Sequence, residues 1–437
     1  MSAPDKKSTL ADTLVAEYFA VRDGRLIAGG IAVDELAERF GTPLFVYDAG
    51  VMRKSFARLS EAVAGFAEIY FSIKANPNPA VAAIFVAQGA GIEIASAGEY
   101  ARARRAGADP MRILFAGPGK SDGELDYVIA GGIGEIHLES FEEIAQVEAI
   151  AQRRGQKVPV SIRINPVAAA QGGAMRMGGK PAPFGFDEEQ IGDVLRALAA
   201  TTHLDFCGVH LFAGTQILDA DVLLAQWTHG IGVAASIARQ AERPLHSIDL
   251  GGGLGIPYYT GDGVLDLDRV RAGIPALQQA LRGEPLIRDS RVVVEPGRYL
   301  AGPSGLYVAR VIASKVSRGQ RFLITDGGMH HHLAASGNLG QVIKRDYPVI
   351  APARMDAAEL SPCSVVGPLC TPLDTLARKT DMPDLKAGDL IAVMQSGAYG
   401  LSASPSGFLS HPQPAEVVVG DGQAIVVRER EKLEPLP

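Results

Sequence analysis

The 437-residue chain has no run of 18 or more apolar residues, although hydrophobic residues make up 47% of it, so no membrane span is expected. It has no block of basic residues. Its 42 Lys and Arg face 49 Asp and Glu, a formal net charge of −7, which argues against nucleic acid as a partner. Its three cysteines, Cys207, Cys363 and Cys370, stand at neither metal nor disulfide spacing. A reduced, cytoplasmic protein is therefore expected. The polar stretch Met1 to Ala11 lacks the apolar centre of a signal peptide and reads as a short disordered lead. An early Gly-x-Gly-x-x-Gly turn is also missing, which removes the usual mark of an open doubly wound sheet.

What is present is an alternation. Glu17 to Asp34 reads as a small β element with an Asp23-Gly24 hairpin turn, and a helix over Asp34 to Phe40 ends at Gly41. From Pro43, after an opening Leu44 to Tyr47, eight β-rich runs follow: Ile69–Ala75, Ile92–Ser96, Ile113–Gly117, Glu135–Glu139, Val160–Asn165, Cys207–Phe212, Ser247–Gly252 and Val292–Gly297. Helical stretches such as Ala97–Ala106, Phe141–Arg154, Asp187–Ala199 and Ala220–Glu242 separate them. Strands alternating with helices predict a parallel sheet, and eight in succession predict a (β/α)8 barrel. After Tyr299 the alternation stops, and Leu306–Lys315, Arg321–Thr325, Asp389–Gln395 and Glu416–Val427 read as strands of a β domain. The expected division is residues 1–42 contributing to that β domain, 43–298 as the barrel, and 299–437 as the C-terminal β domain.

The polar residues gather at strand ends. Lys74 closes an apolar run before Asn76-Pro-Asn-Pro79. A buried lysine is costly unless it is paired or covalently used. Two readings stand side by side: a Schiff base to pyridoxal phosphate, which needs a desolvated amine, and a side chain that snorkels past the strand end. Arg163, His210, Gly251–Gly253 and Glu295 fall at matching positions, which in a barrel converge on one mouth. Gly251, Gly252 and Gly253 would let backbone amides face a phosphate, and Gly297 and Arg298 could share it. Glu295 could hold a pyridine nitrogen protonated, or form an ordinary surface ion pair. Cys370, between two proline-containing turns, is placed to be exposed and to act as an acid, and Tyr399 lies on another glycine-flanked turn. Cys207 and Cys363 read as buried hydrophobes. His330-His331-His332 cannot all face one ion without strain, so a loop lining an entrance is the expected reading rather than a metal site.

These motifs together resemble the pyridoxal-phosphate decarboxylases of the alanine-racemase fold, the diaminopimelate, ornithine and arginine decarboxylases among them. The likeness runs from about Pro43 to Val427 and rests on Ser72-Ile-Lys-Ala-Asn-Pro-Asn78, Glu93-Ile-Ala-Ser-Ala-Gly-Glu99, Gly251–Gly253, Glu295-Pro-Gly-Arg298, Asp326-Gly-Gly328, Gly367-Pro-Leu-Cys370 and Gly397-Ala-Tyr399. The resemblance implies that Lys74 carries the cofactor, with Glu93 among the cofactor residues, and that Glu295 holds the ring nitrogen. It implies that Gly251–Gly253, Arg298 and Tyr399 bind the phosphate and that Arg163 lies near the ring. Cys370 would come from the second subunit of a homodimer as the proton donor, and Asp326, Thr371 and Asp374 would face the substrate.

The departures narrow it. The family usually sets a histidine over the ring in a His-x-Gly-Ser context; here the stretch is His210-Leu-Phe-Ala-Gly-Thr-Gln216, and Phe212 takes that position. Diaminopimelate decarboxylases follow the cysteine with a glutamate, where Thr371 stands here, and carry an arginine and a tyrosine where Ala334 and Asn338 stand. With Met175–Gly179 and His330–Asn338, these changes are similar to a branch from biosynthetic and exosortase-associated clusters, which includes a decarboxylase of glutamyl groups on an acyl carrier protein. A decarboxylase of free diaminopimelate, ornithine or lysine, and a racemase of the same fold, remain the alternatives. Arg176 or Lys180 could instead supply the missing charge.

Overall fold

The computed structural model describes residues 9–166, 175–176, 181–212, 214–339, 341 and 344–433. Residues 1–8 of the expected lead, Met177 to Lys180, and the side chains of Met175 and Arg176 lie outside that description. The chain forms two compact units. One comprises Ser55–Ile256 and Gly263–Leu300, and the other Met1–Lys54, Pro257–Asp262 and Ala301–Pro437.

The first unit is a closed parallel barrel. Its strands are β1 (Glu68–Ser72), β2 (Gly91–Ile94), β3 (Ile113–Phe115), β4 (Glu135–Leu138), β5 (Val158–Asn165), β6 (Leu204–Leu211), β7 (Ser247–Asp249) and β8 (Arg291–Val294). Each pairs in parallel with the next, and β8 returns to β1 through Val293 opposite Glu68 and Val294 opposite Ile69. All eight expected runs are barrel strands. They read as apolar runs because both faces are buried, one by the barrel interior and one by helices. Serine caps set where helices start. Ser96, Ser121 and Ser140 each accept the amide of a glutamate three residues on, at Glu99, Glu124 and Glu143. Such a cap stabilises a helix by about 1 kcal/mol.

The second unit is built on β-structure. The long strand Gly305–Ser317 runs antiparallel to Leu44–Asp48, Leu390–Val393 and Gln320–Thr325. Leu44–Asp48, which sequence placed at the opening of the barrel, therefore belongs here, with Ala415–Gly420 parallel on its other side. A fully buried apolar run reads alike in either sheet, and its partners lie far away in sequence. The hairpin at Asp23 and Gly24 forms as expected, both residues having positive φ. It builds its own three-stranded sheet, and its Leu26, Ala28 and Ile31 join the core of Leu44, Val46, Leu306 and Val417. Thr9 caps a helix, Leu10–Tyr18, where part of a disordered lead was expected; the Thr9/Asp12 capping box was its overlooked signal. Two strands, Ser361–Val366 and Thr375–Met382, also escaped the sequence reading, and the turn between them carries Cys370. Among the described residues, no helix is long and apolar enough to cross a membrane.

Candidate active site

Lys74 sits in a one-turn 3-10 helix, Ile73–Ala75, directly after β1. Prolines at 77 and 79 prevent it from continuing, and the Asn78 side chain caps the next helix by accepting the Ala80 amide at 3.0 Å. Lys74 Nζ lies 2.9 and 2.8 Å from the two oxygens of Glu93, at the end of β2. Glu93 is 1% exposed and also accepts the Ser72 hydroxyl at 2.5 Å. A carboxylate buried so deeply needs a cation. The lysine side chain itself is 44% exposed, so its amine is anchored at the strand end yet accessible.

Beyond β7 the backbone turns sharply, with φ of 69° at Gly251 and 98° at Gly253. A Cβ at Gly251 would come within 2.4 Å of the Leu211 carbonyl, at Gly252 within 2.4 Å of the Glu295 carbonyl, and at Gly253 within 2.7 Å of the Gly214 carbonyl. Only glycine allows this close approach, which leaves a side-chain-free cradle of the kind that suits a phosphate. Phe212 packs beside it, with Cδ2 3.2 Å from that Gly251 position.

Glu295 follows β8 and is 4% exposed. Its amide donates to the Gly251 carbonyl at 2.9 Å. Its Oε2 lies 3.5 Å from His210 Nε2. Its Oε1 is buried and meets no hydrogen-bond donor among the described residues, so an acceptor is left for the N–H of a protonated pyridine. Burial lowers the His210 pKa to about 4, keeping the ring neutral. Burial pushes Glu295 upward, but contact with His210 and Asp249 outweighs this and holds it below the usual carboxylate range. Gly297 is pressed onto the lysine turn, its Cβ position 2.9 Å from Ala75 Cβ, and the Ser72 amide reaches the Pro296 carbonyl at 3.4 Å. Arg298 opens the short helix Arg298–Ala301. The glycine cradle, the orphaned acceptor and the anchored amine fit pyridoxal phosphate.

Arg163 pairs with Glu139 at 2.9 and 3.2 Å and lies over the Phe184 ring at 5.0 Å. Glu139 went unnoticed in sequence, though it ends the β4 run. It also accepts the Gly117 and Gly185 amides at 2.6 and 3.1 Å. His137 and Asp249 were missed as well; their signal was polar residues inside otherwise apolar strands.

In the β unit, Cys370 is exposed, Cys363 is buried and Cys207, in the barrel unit, is half-buried rather than fully buried. Burial raises the Cys207 thiol to about 12. Tyr399 lies on a turn with φ of 54°. Asp326 and Asp374, expected to face substrate, have internal partners for both oxygens. Asp326 accepts the Thr42 hydroxyl and the Arg310 amide, and Asp374 the amides of Met329 and Leu369. Thr371 accepts the Leu373 amide at 3.3 Å. The three histidines do not line an entrance: each is at most 1% exposed, and His332 contacts Ser396 Oγ at 3.0 Å.

The pyridoxal binding domain of the pyridoxal-dependent decarboxylases matches residues 50–302. The L-glutamyl-[BtrI acyl-carrier protein] decarboxylase of Niallia circulans is 36% identical over 401 residues, covering 91% of this chain and 93% of that one. The diaminopimelate decarboxylase of Helicobacter pylori is 32% identical over 405 residues, 92% of this chain and 96% of its own. A crystal structure of the Helicobacter pylori enzyme with L-lysine superposes with a TM-score of 0.81 at 31% identity, over 91% of this chain and 96% of that one. With its barrel, its glycine cradle and its strand-end lysine, the chain belongs to the pyridoxal-dependent decarboxylases and uses pyridoxal 5′-phosphate as cofactor.

Proposed function

We propose that this decarboxylase acts on an amino-acid unit whose far end is uncharged or tethered to an acyl carrier protein, and uses a free diamino acid poorly. The observation that carries this is Lys344. Its Nζ lies 2.5 Å from Asn338 Oδ1, and no carboxylate pairs with it among the described residues. Asn338 is the position where the resemblance puts a substrate-binding tyrosine. Thr371 and Ala334 bring no charge. In this reading the distal ammonium of ornithine or lysine would approach the exposed Lys344 ammonium instead of a glutamate, and like charges brought together disfavour binding. The Niallia circulans relative, by its name, acts on a carrier-bound glutamyl group.

In this reading Lys74 holds the cofactor through its amine, and Glu93 keeps that amine at the barrel mouth. Gly251–Gly253, Arg298 and Tyr399 take the phosphate, Phe212 stacks on the ring, Arg163 stands near it, and Glu295 faces its nitrogen. Bound pyridoxal phosphate supplies the electron sink that lets the carboxylate leave as carbon dioxide. Cys370, from the second subunit of a homodimer, then delivers a proton to the substrate Cα. A cytoplasmic setting belongs to the same reading. The test is kcat/KM measured side by side for meso-diaminopimelate, ornithine, lysine, free glutamate and a carrier-bound aminoacyl thioester. The carrier-bound substrate should lead by orders of magnitude. Turnover of free diaminopimelate at about 10⁴ M⁻¹s⁻¹ or above, the range of good enzymes, would contradict it.

A further inference from the structure

A (β/α)8 barrel is normally filled by layers of branched apolar side chains. Here the interior between β4, β6, β7 and β8 is ionisable. Glu135, His137, His210, Asp249 and Glu295 are each at most 4% exposed. Polar atoms of His137, His210, Asp249 and Glu295 lie within 4.8 Å of one another. Glu135 is provided for: it pairs with Arg291 at 3.0 Å, accepts the Ser161 hydroxyl, and lies 3.3 Å from His137 Nε2.

Asp249 is different. Its Oδ1 accepts the Gly251 amide at 2.8 Å, and so anchors the first glycine of the cradle. Its Oδ2 is buried with no donor among the described residues, as is Glu295 Oε1. An oxygen of Asp249 and an oxygen of Glu295 lie within 4.8 Å of each other. Two carboxylates this close in a dry interior cannot readily both be ionised, so one of them carries a proton. Glu295 has His210 at 3.5 Å from Oε2, and its buried Oε1 has no donor among the described residues. Asp249 Oδ2 lies 3.9 Å from His137 Nε2.

We propose that Asp249 is a positioning residue that works as a neutral acid: one oxygen anchors Gly251 at the phosphate cradle, while its O–H donates to Glu295 and keeps that carboxylate ionised and aimed at the ring nitrogen. It thereby ties the two ends of the cofactor site together through one buried side chain. The electrostatics agree, since burial and the neighbouring Glu295 raise the Asp249 acid well above its ordinary range. The inference rests on Glu295 facing the ring nitrogen.

Asparagine is the isostere of a neutral aspartic acid: its carbonyl can accept from Gly251 and its N–H₂ can donate to Glu295. Asp249→Asn should therefore bind pyridoxal phosphate within about threefold of wild type and keep the visible band of the bound cofactor. Asp249→Ala, which removes both contacts, should weaken binding about tenfold or more and shift the band. The infrared C=O stretch of a buried protonated acid should be present in wild-type protein at pH 8 and absent from Asp249→Asn. An asparagine variant that folds but binds as weakly as the alanine one, or a wild-type spectrum without that stretch, would overturn the proposal; the asparagine and infrared results suffice if alanine does not fold. Glu295→Gln separates the underlying reading. An unchanged band and affinity there would remove Glu295 from the ring nitrogen, whatever Asp249 does.

Discussion

Asp374 accepts the Leu369 amide at 2.9 Å, one residue before Cys370. Its other oxygen takes the Met329 amide at 2.6 Å, so one buried carboxylate fixes two turns of the β unit. Gly328 and Gly367 make room for it, because a Cβ at either would fall 2.1 or 2.3 Å from its oxygens. Asp374→Ala leaves two buried amides unpaired and should cost about 2–4 kcal/mol of stability. It should also loosen the Cys370 turn, raising misprotonated product in a turnover assay with single-product analysis. Unchanged stability and unchanged product would refute this role.

In the proposed function the exposed Cys370 acts in the partner's site. Cys370→Ala should slow turnover or divert protonation while cofactor binding persists. Mixing inactive Lys74→Ala with the impaired Cys370→Ala should raise correctly protonated product above what Cys370→Ala gives alone, since a mixed dimer contains one intact site. If verified subunit exchange brings no recovery, the site is not shared.

The buried histidine run gives a pH signature. Burial lowers His332 from its ordinary value to about 3. Between pH 6.5 and 3 the unfolded chain therefore binds a proton that the folded chain refuses. The stability linked to this group is full above pH 6.5 and is lost as pH falls, by at most ~1.4 kcal/mol per pH unit. Chemical denaturation at pH 7.5 and 5.5 should show a smaller difference for His332→Asn than for wild type. An equal or larger difference would contradict the assignment.

In the proposed function Lys344 is a handle on specificity. Lys344→Glu should raise kcat/KM for ornithine or lysine relative to the carrier-bound substrate by about tenfold or more, the scale of one close charge pair. No change in that ratio would remove Lys344 from the substrate's far end.

The barrel was legible because its eight strands each announce themselves by a short β-rich run and a helix that follows. The strand-end lysine and the glycine turn were legible for the same reason, since strand ends share one rim. What escaped depended on contacts distant in sequence. Leu44–Asp48 could be assigned only by its pairing with Gly305–Ser317 and Ala415–Gly420. The strands around Cys370 contain proline, charge and register shifts that blur their period. The roles of Asp249 and Asp374 lie in which amides they accept, and no residue pattern carries that.

Everything in the site turns on Lys74, whose Nζ stands 2.8 Å from a buried Glu93 oxygen. The most direct measurement is borohydride reduction of the purified holoprotein followed by peptide mapping. The fixed cofactor should appear on the peptide containing Lys74 and be absent from Lys74→Ala. Label on any other lysine, with Lys74 unmodified, would contradict the account.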